Sequence, residues 1–100
     1  MSISTSKSDD GKNLIIKVGG KFDFSLHNEF RKSYKDESVS GEFHVDLGNT
    51  DYLDSSALGM LLLLKEHAES VSSSVKVINA GPDIKDILII ASFDKLFQIS

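Results

Sequence analysis

The sequence predicts an α/β fold, a mixed sheet of about five strands with crossover helices. Three observations carry this. Short runs rich in β-branched or alternating apolar residues recur at Leu14 to Val18, Phe43 to Leu47 and Val75 to Ile78. Stretches with helical spacing separate them, and alternating strands and helices imply parallel strands joined by crossovers. An Asp-Gly turn near the start adds a hairpin, which makes the sheet mixed.

In chain order, Ile3, Thr5 and Lys7 fall on one side of a first short strand. Ser8-Asp9-Asp10-Gly11 reads as the turn, because Gly tolerates positive φ and Asp bonds nearby backbone. Leu14 to Val18 forms the second strand, which Gly19 and Gly20 end. Phe22, Asp23 and Phe24 alternate before a helix for which Ser25 is the expected N-cap. Leu26, Phe30 and Tyr34 share one face of that helix at four-residue spacing. Phe43, Val45 and Leu47 alternate with His44 and Asp46, as in a strand with one apolar face. Gly48 to Leu53 reads as a loop. A helix from about Ser56 to about Ser70 follows, apolar on nearly every side of its first two turns. That composition predicts burial against the sheet and contact with another helix or a partner. Val75 and Val77 open the next strand. Gly81-Pro82 opens a third helix, where proline at the first position loses no needed N–H. Its packing stripe reads Ile84, Ile87, Leu88 and Ala91, widened by Ile89 and Ile90, with Phe93 and Asp94 at its end. Leu96 to Ile99 reads as a final strand.

The chain has 100 residues, 40% apolar and 26% charged, which suits a single domain over residues 1–100 with a modest core. The formal net charge of −4 and scattered basic residues speak against nucleic acid as a partner. The longest apolar run, Met60 to Leu64, is too short to span a bilayer, and Met1 to Asp10 lacks an apolar signal core. No membrane association and a cytoplasmic location are expected. There is no cysteine, so disulfides and thiolate metal sites are excluded.

Asp54-Ser55-Ser56-Ala57-Leu58-Gly59 stands where a loop becomes a helix N-terminus. There the first N–H groups lack helical partners, and a serine oxygen or an anion can satisfy them. The position supports two readings, a plain helix cap or a serine whose phosphorylation switches local charge. Hydrolysis fits poorly, because a nucleophile elbow wants glycine two residues either side of the serine. Ser56 has Asp54 and Leu58 there, and Ser55 has Leu53 and Ala57. His27, His44 and His67 show no paired-ligand spacing, so no metal is expected. Gly19-Gly20 lacks the rest of a phosphate-binding loop. An enzyme is therefore not expected, nor a cofactor.

Asp54-Ser55-Ser56-Ala57-Leu58-Gly59, with the preceding Val45-Asp46-Leu47 and the leucine-rich helix after it, resembles the anti-sigma factor antagonist family of STAS domains. Gly20-Lys21-Phe22-Asp23 is similar to the family's segment before its first helix, and Asn79-Ala80-Gly81-Pro82 to its later strand-to-helix turn. The resemblance covers most of the chain and implies a STAS-like fold. It places the phosphorylation site at Ser56 and makes the chain a partner-switching regulator of transcription in bacteria. The unphosphorylated form binds a serine kinase that doubles as an anti-sigma factor, and the phosphorylated form lets go. A PP2C-type phosphatase removes the phosphate. Asp23 matches a family position near the site.

Asp23, Phe24, Asp54, Ser55, Ala57, Gly59, Met60 and Leu63 are the candidate partner-binding or site-shaping residues. Met60, Leu63 and Leu64 could form a docking surface that Phe24 and Leu26 extend, with Tyr52 as a further exposed aromatic. Ala57 stands where the family commonly has glycine and is expected to place its methyl near the interface. The chain also ends soon after its last strand, where many relatives continue into a helix. Some family members bind nucleotides, so weak nucleotide binding belongs to the alternative reading. In that reading the chain is a ligand-binding scaffold or sensor and Ser56 is only a cap.

Overall fold

The computed structural model describes residues 2–100. Five strands form the main sheet: β1 (Ile3–Lys7), β2 (Leu14–Val18), β4 (Glu42–Asp46), β6 (Ser74–Ile78) and β7 (Gln98–Ile99), in the spatial order β1-β2-β4-β6-β7. The hairpin β1–β2 is antiparallel, and the other pairings are parallel. Helix α1 (His27–Tyr34) links the second strand to the fourth, α2 (Ser55–Ser70) the fourth to the sixth, and α3 (Pro82–Ile90) the sixth to the seventh. Successive parallel strands step across the sheet in one direction. Right-handed crossovers then place all three helices on one face.

The side-chain alternation agrees. Leu14, Ile16, Val18, Phe43, Val45, Val75 and Val77 are buried under the helices. Their neighbours on the opposite face are more exposed and mostly polar, among them Lys17, His44, Asp46 and Lys76. The sheet is thus covered on one side only. Removing its inward apolar surface from water is the main stabilising term. His67 of α2 closes one end of this layer. It packs against the rings of Tyr34 and Phe43, and its Nε2–H donates to the Glu37 carbonyl at 2.7 Å.

The segment from Gly48 to Leu53 is not the simple loop its composition suggests. Thr50–Leu53 forms β5, which pairs in parallel with β3 (Gly20–Phe22) in a separate two-stranded ribbon. Gly20 makes the ribbon possible. Its φ of 75° lies in the left-handed region open to glycine, and the chain turns there from β2 into β3. The buried Thr50 hydroxyl donates to the Val18 carbonyl at 2.6 Å and ties the ribbon to the main sheet.

The last strand is shorter than its sequence suggests. A 3-10 turn (Phe93–Lys95) intervenes after α3, and pairing begins only at Gln98. Phe93 of this turn and Phe97 just after it fill the core, their rings tilted by 38° with centroids 5.4 Å apart. The predicted packing stripe of α3 is also narrower. Ile84 and Leu88 are buried, whereas Ile87, Ile89, Ile90 and Ala91 face solvent, with Ile90 84% exposed.

Candidate functional site

Two neighbouring strands deliver two neighbouring turns. In the ribbon, Phe22 lies opposite Leu53, so the chain leaves β3 and β5 at the same level. Each strand ends in the same pattern, Asp-x-Ser: Asp23-Phe24-Ser25 and Asp54-Ser55-Ser56. Each Asp is the cap of the helical segment that follows. Asp23 Oδ1 accepts from the Ser25 N–H at 3.0 Å and from its hydroxyl at 2.5 Å. Asp54 Oδ1 accepts from the Ser56 N–H at 3.0 Å, the Ala57 N–H at 3.1 Å and the Ser56 hydroxyl at 2.5 Å. A 3-10 turn (Phe24–Leu26) leads from the first cap into α1.

This corrects the sequence reading at both helix starts. Ser25 is not the cap of the first helix; Asp23 is. Neither Ser55 nor Ser56 caps α2; Asp54 does. Asp and Ser are equally good caps, so composition does not choose between them. The choice follows from where the extended backbone ends, and Asp54 still has extended dihedrals. The first free N–H groups of α2 are therefore already occupied by a carboxylate. That carboxylate is held below the ordinary range chiefly by the Ser56 hydroxyl; desolvation opposes this, and the Ala57 and Ser56 N–H groups add to the lowering.

The remaining candidates separate by face. Ala57, Met60, Leu61 and Leu64 are buried in the core. Met60 is thus no part of a docking surface, nor is Leu64, and the Ala57 methyl points into the core rather than toward an interface. Helical period explains this, since these positions recur at three and four residues on the side facing the sheet. Leu26 is buried as well, so Phe24 stands out alone from its turn, 69% exposed. Ser56 is half-buried, Ser55 and Gly59 are exposed, and Leu62 and Leu63 both face solvent. Ser56, Gly59 and Leu63 share one face of α2 at spacings of three and four. A Cβ at Gly59 would meet nothing within 4 Å. Tyr52 of β5 is half-exposed beside the same turn. Sequence reasoning assigned Ile87 and Ile90 of α3 to the core, yet they add exposed apolar surface. It also missed Ser25 as a geometric twin of Ser56, although the repeated Asp-x-Ser was there to see.

Three surface cavities lie elsewhere. One, of about 420 Å³, is lined by Lys65, Glu69, Lys95 and Leu96 among others. A second, of about 560 Å³, lies between β1 and α1, and a third, of about 170 Å³, is lined by Lys17, Asp46 and Asn49 among others. None of the three is lined by Asp23 or Ser56. Among the described residues, no group of three His, Cys, Asp or Glu side chains is placed to hold a metal ion, and no helix is long and apolar enough to cross a membrane.

A family model described as Mlab, STAS domain matches residues 5–98. A STAS-domain containing protein of Pseudomonas aeruginosa (strain UCBPP-PA14) is 44% identical over 101 residues, covering 100% of both chains. Among solved structures, the protein TM1081 of Thermotoga maritima superposes with a TM-score of 0.82 at 16% identity, over 97% of this chain and 84% of that one. An anti-sigma factor antagonist from Mycobacterium paratuberculosis gives 0.73 at 22% identity, over 98% and 85%. The anti-sigma factor antagonist SpoIIAA, in its unphosphorylated form, gives 0.72 at 15% identity, over 98% and 86%. The Asp-Ser-Ser helix start, the mixed five-stranded sheet and these matches lead to one conclusion: the chain belongs to the STAS-domain family and has the fold of the anti-sigma factor antagonists.

Proposed function

We propose that this protein is a phosphorylation-controlled partner switch of the anti-sigma factor antagonist type, a binding module and not an enzyme. In the unphosphorylated state it binds a serine kinase that acts as an anti-sigma-like protein, and so regulates transcription in the bacterial cytoplasm. The kinase phosphorylates Ser56 and releases the chain, and a PP2C-type phosphatase resets it. The observation that carries this reading is Ser56 itself, a half-buried serine fixed at a helix start on the same face of α2 as the exposed Gly59 and Leu63. Phe24, Tyr52, Leu62 and Leu63 contribute little to the core and are available to a partner. SpoIIAA, which shares this fold, has also been solved in a phosphorylated form.

The cap geometry changes how the switch works. A phosphate brings about −1.5 to −2 charges at neutral pH. At an open helix start it would settle on free N–H groups. Here Asp54 already holds the N–H groups of Ser56 and Ala57, so the phosphate is repelled by the carboxylate and turned toward the partner. A mismatched charge in such an interface costs about 2–5 kcal/mol, enough to weaken binding a hundredfold or more without refolding the domain.

Incubation with the cognate serine kinase and ATP, followed by peptide mapping, tests the reading. Phosphate should appear at Ser56 in the wild type and not in Ser56→Ala. Ser56→Ala should keep the kinase bound, and Ser56→Asp should release it. Absence of phosphate at Ser56 in the wild type would sink the proposal.

A further inference from the structure

The main sheet ends on two unequal edges. At one, β7 is only two residues long, a length that blunts an edge against further pairing. At the other, β1 presents five residues, Ile3 to Lys7, with no proline, an unbroken register and Lys7 as its one charge. The hydrogen-bond pattern shows which groups that edge leaves open. The Gly19 N–H donates to the Ser2 carbonyl at 2.7 Å, and the Ser8 N–H donates to the Asn13 carbonyl at 3.0 Å. Bonded and non-bonded pairs alternate along an antiparallel ladder, so Ser4 and Ser6 also turn their backbone groups toward β2. Ile3, Thr5 and Lys7 turn theirs outward, and among the described residues no hydrogen bond engages them. The helix layer stops short of the same edge. Thr5 and Lys7 lie opposite Ile16 and Leu14, which are buried, yet both are exposed. The cavity of about 560 Å³ lies here, with Ile3 and Thr5 on one wall and Glu29, Lys32 and Ser33 on the other. A strand laid against β1 finds main-chain partners at the edge and room for its inward side chains beside α1.

We propose that the occupant of this edge is a second copy of the chain, joined β1 to β1 about a twofold axis at Thr5. Antiparallel pairing sets Thr5 against Thr5 and Ile3 against Lys7, and each facing pair exchanges two main-chain bonds. The outward groups of β1 are self-complementary in this arrangement, as an isologous interface requires. The axis stands perpendicular to the sheet, so the helices of both copies stay on one face and the two sheets continue as one. The two α1 helices then run antiparallel across the joined groove. Glu29 of each copy is turned toward Lys32 of the other, and the two Lys7 side chains lie at opposite ends of the strand pair. The pairing matches unlike charges and separates like ones, which is the argument for a second copy over an unrelated peptide. The contact is small, below about 1,200 Å² in total, so the dimer is weak, with a Kd of order 10⁻⁴ M. Helix α1 packs on β1 whereas α2 packs on β6, so Ser56 stays open in both copies. The dimer forms whatever the state of Ser56 and presents two such sites at once.

Amide hydrogen exchange of the full chain, read by NMR at about 20 µM and about 1 mM, reports on the contact without any substitution. The Ile3, Thr5 and Lys7 amides should exchange about threefold or more slowly in the concentrated sample, while Ser4 and Ser6 are protected in both. Sedimentation velocity over the same range should show monomer giving way to dimer. Thr5→Pro removes the outward N–H on the axis, and proline is tolerated where an edge N–H faces solvent. It should keep its circular-dichroism melt and stay monomeric. Glu29→Lys should weaken the dimer about fivefold or more, and adding Lys32→Glu should restore it. A wild-type chain still monomeric at about 1 mM overturns the inference. So does a dimer in which the Ile3, Thr5 and Lys7 amides gain no protection, or a folded Thr5→Pro that dimerises like wild type. Protection of these amides that appears in a cell lysate, and never in concentrated pure protein, assigns the edge to another occupant and likewise overturns the pairing of two copies.

Discussion

Phe22 and Phe24 offer a sharp test, being the same residue type two positions apart with opposite surroundings. Phe22 is 0% exposed and packs on Phe30 with ring centroids 5.1 Å apart. Phe24 is 69% exposed, with the His27 ring beside it at 5.3 Å. Truncating a fully buried phenylalanine to alanine costs about 3–5 kcal/mol, so Phe22→Ala should remove a large part of the protein's stability. Phe24→Ala removes almost no packed surface and should alter stability by no more than about 0.5 kcal/mol. Complete burial of such a side chain is worth about 1.5–3 kcal/mol, and two thirds of that is still available to a partner. Phe24→Ala should therefore weaken the kinase complex by about 1–2 kcal/mol, roughly 5- to 30-fold in Kd. Urea unfolding followed by circular dichroism gives the first quantity and titration calorimetry the second. A stability loss above about 1 kcal/mol in Phe24→Ala, or an unchanged Kd, would refute the division between core and docking face.

Other substitutions probe α2. Gly59→Ala should stabilise the protein by up to about 1 kcal/mol in thermal or urea unfolding, because the helix gains propensity and the new methyl meets nothing. If the partner lies flush against that face, the same change weakens binding. Leu64→Ala, at a fully buried position, should cost about 2–5 kcal/mol, while Leu63→Ala next to it should leave stability nearly unchanged and weaken the kinase complex. Asp54 predicts a pH dependence. Its native pKa is lowered, so its contribution to stability is fully present above the unfolded carboxylate value, about 4, and is lost as pH falls through the native value. Asp54→Asn should flatten the acid limb of stability against pH. Ser56→Ala removes the largest cause of the shift, so an NMR titration should find the Asp54 carboxyl moved back up toward the ordinary range.

Much of the fold was legible because its pattern is locally regular. Phe43, Val45 and Leu47 alternate cleanly and are all buried, and Gly81-Pro82 starts α3 as proline chemistry requires. The ribbon was not legible. Thr50 and Leu53 are buried while Asp51 and Tyr52 are exposed, so β5 shows no alternation, and its partner β3 is only three residues long. Periodicity also misjudged α3. Ile87 and Ile90 sit at core-like spacing, but whether a second surface covers that side is decided by tertiary neighbours. At the site, Ser56, Leu63 and Phe24 could be picked from sequence as candidates. Asp54 could be picked as one of several capping candidates, but cap preference treats Asp and Ser alike and only the backbone trace shows which oxygen reaches the N–H groups.

Helix α2 divides its residues: Ala57, Met60, Leu61 and Leu64 hold the fold, while Leu62 and Leu63 touch solvent. The two sets can drift separately. A duplicated copy could exchange its outward side chains without losing its core, and so acquire a new partner while the old copy kept its own. Where several such chains share a cell, insulation between their pathways would then reside in a handful of surface positions, and crosstalk between two pathways should be correctable by swapping those positions alone.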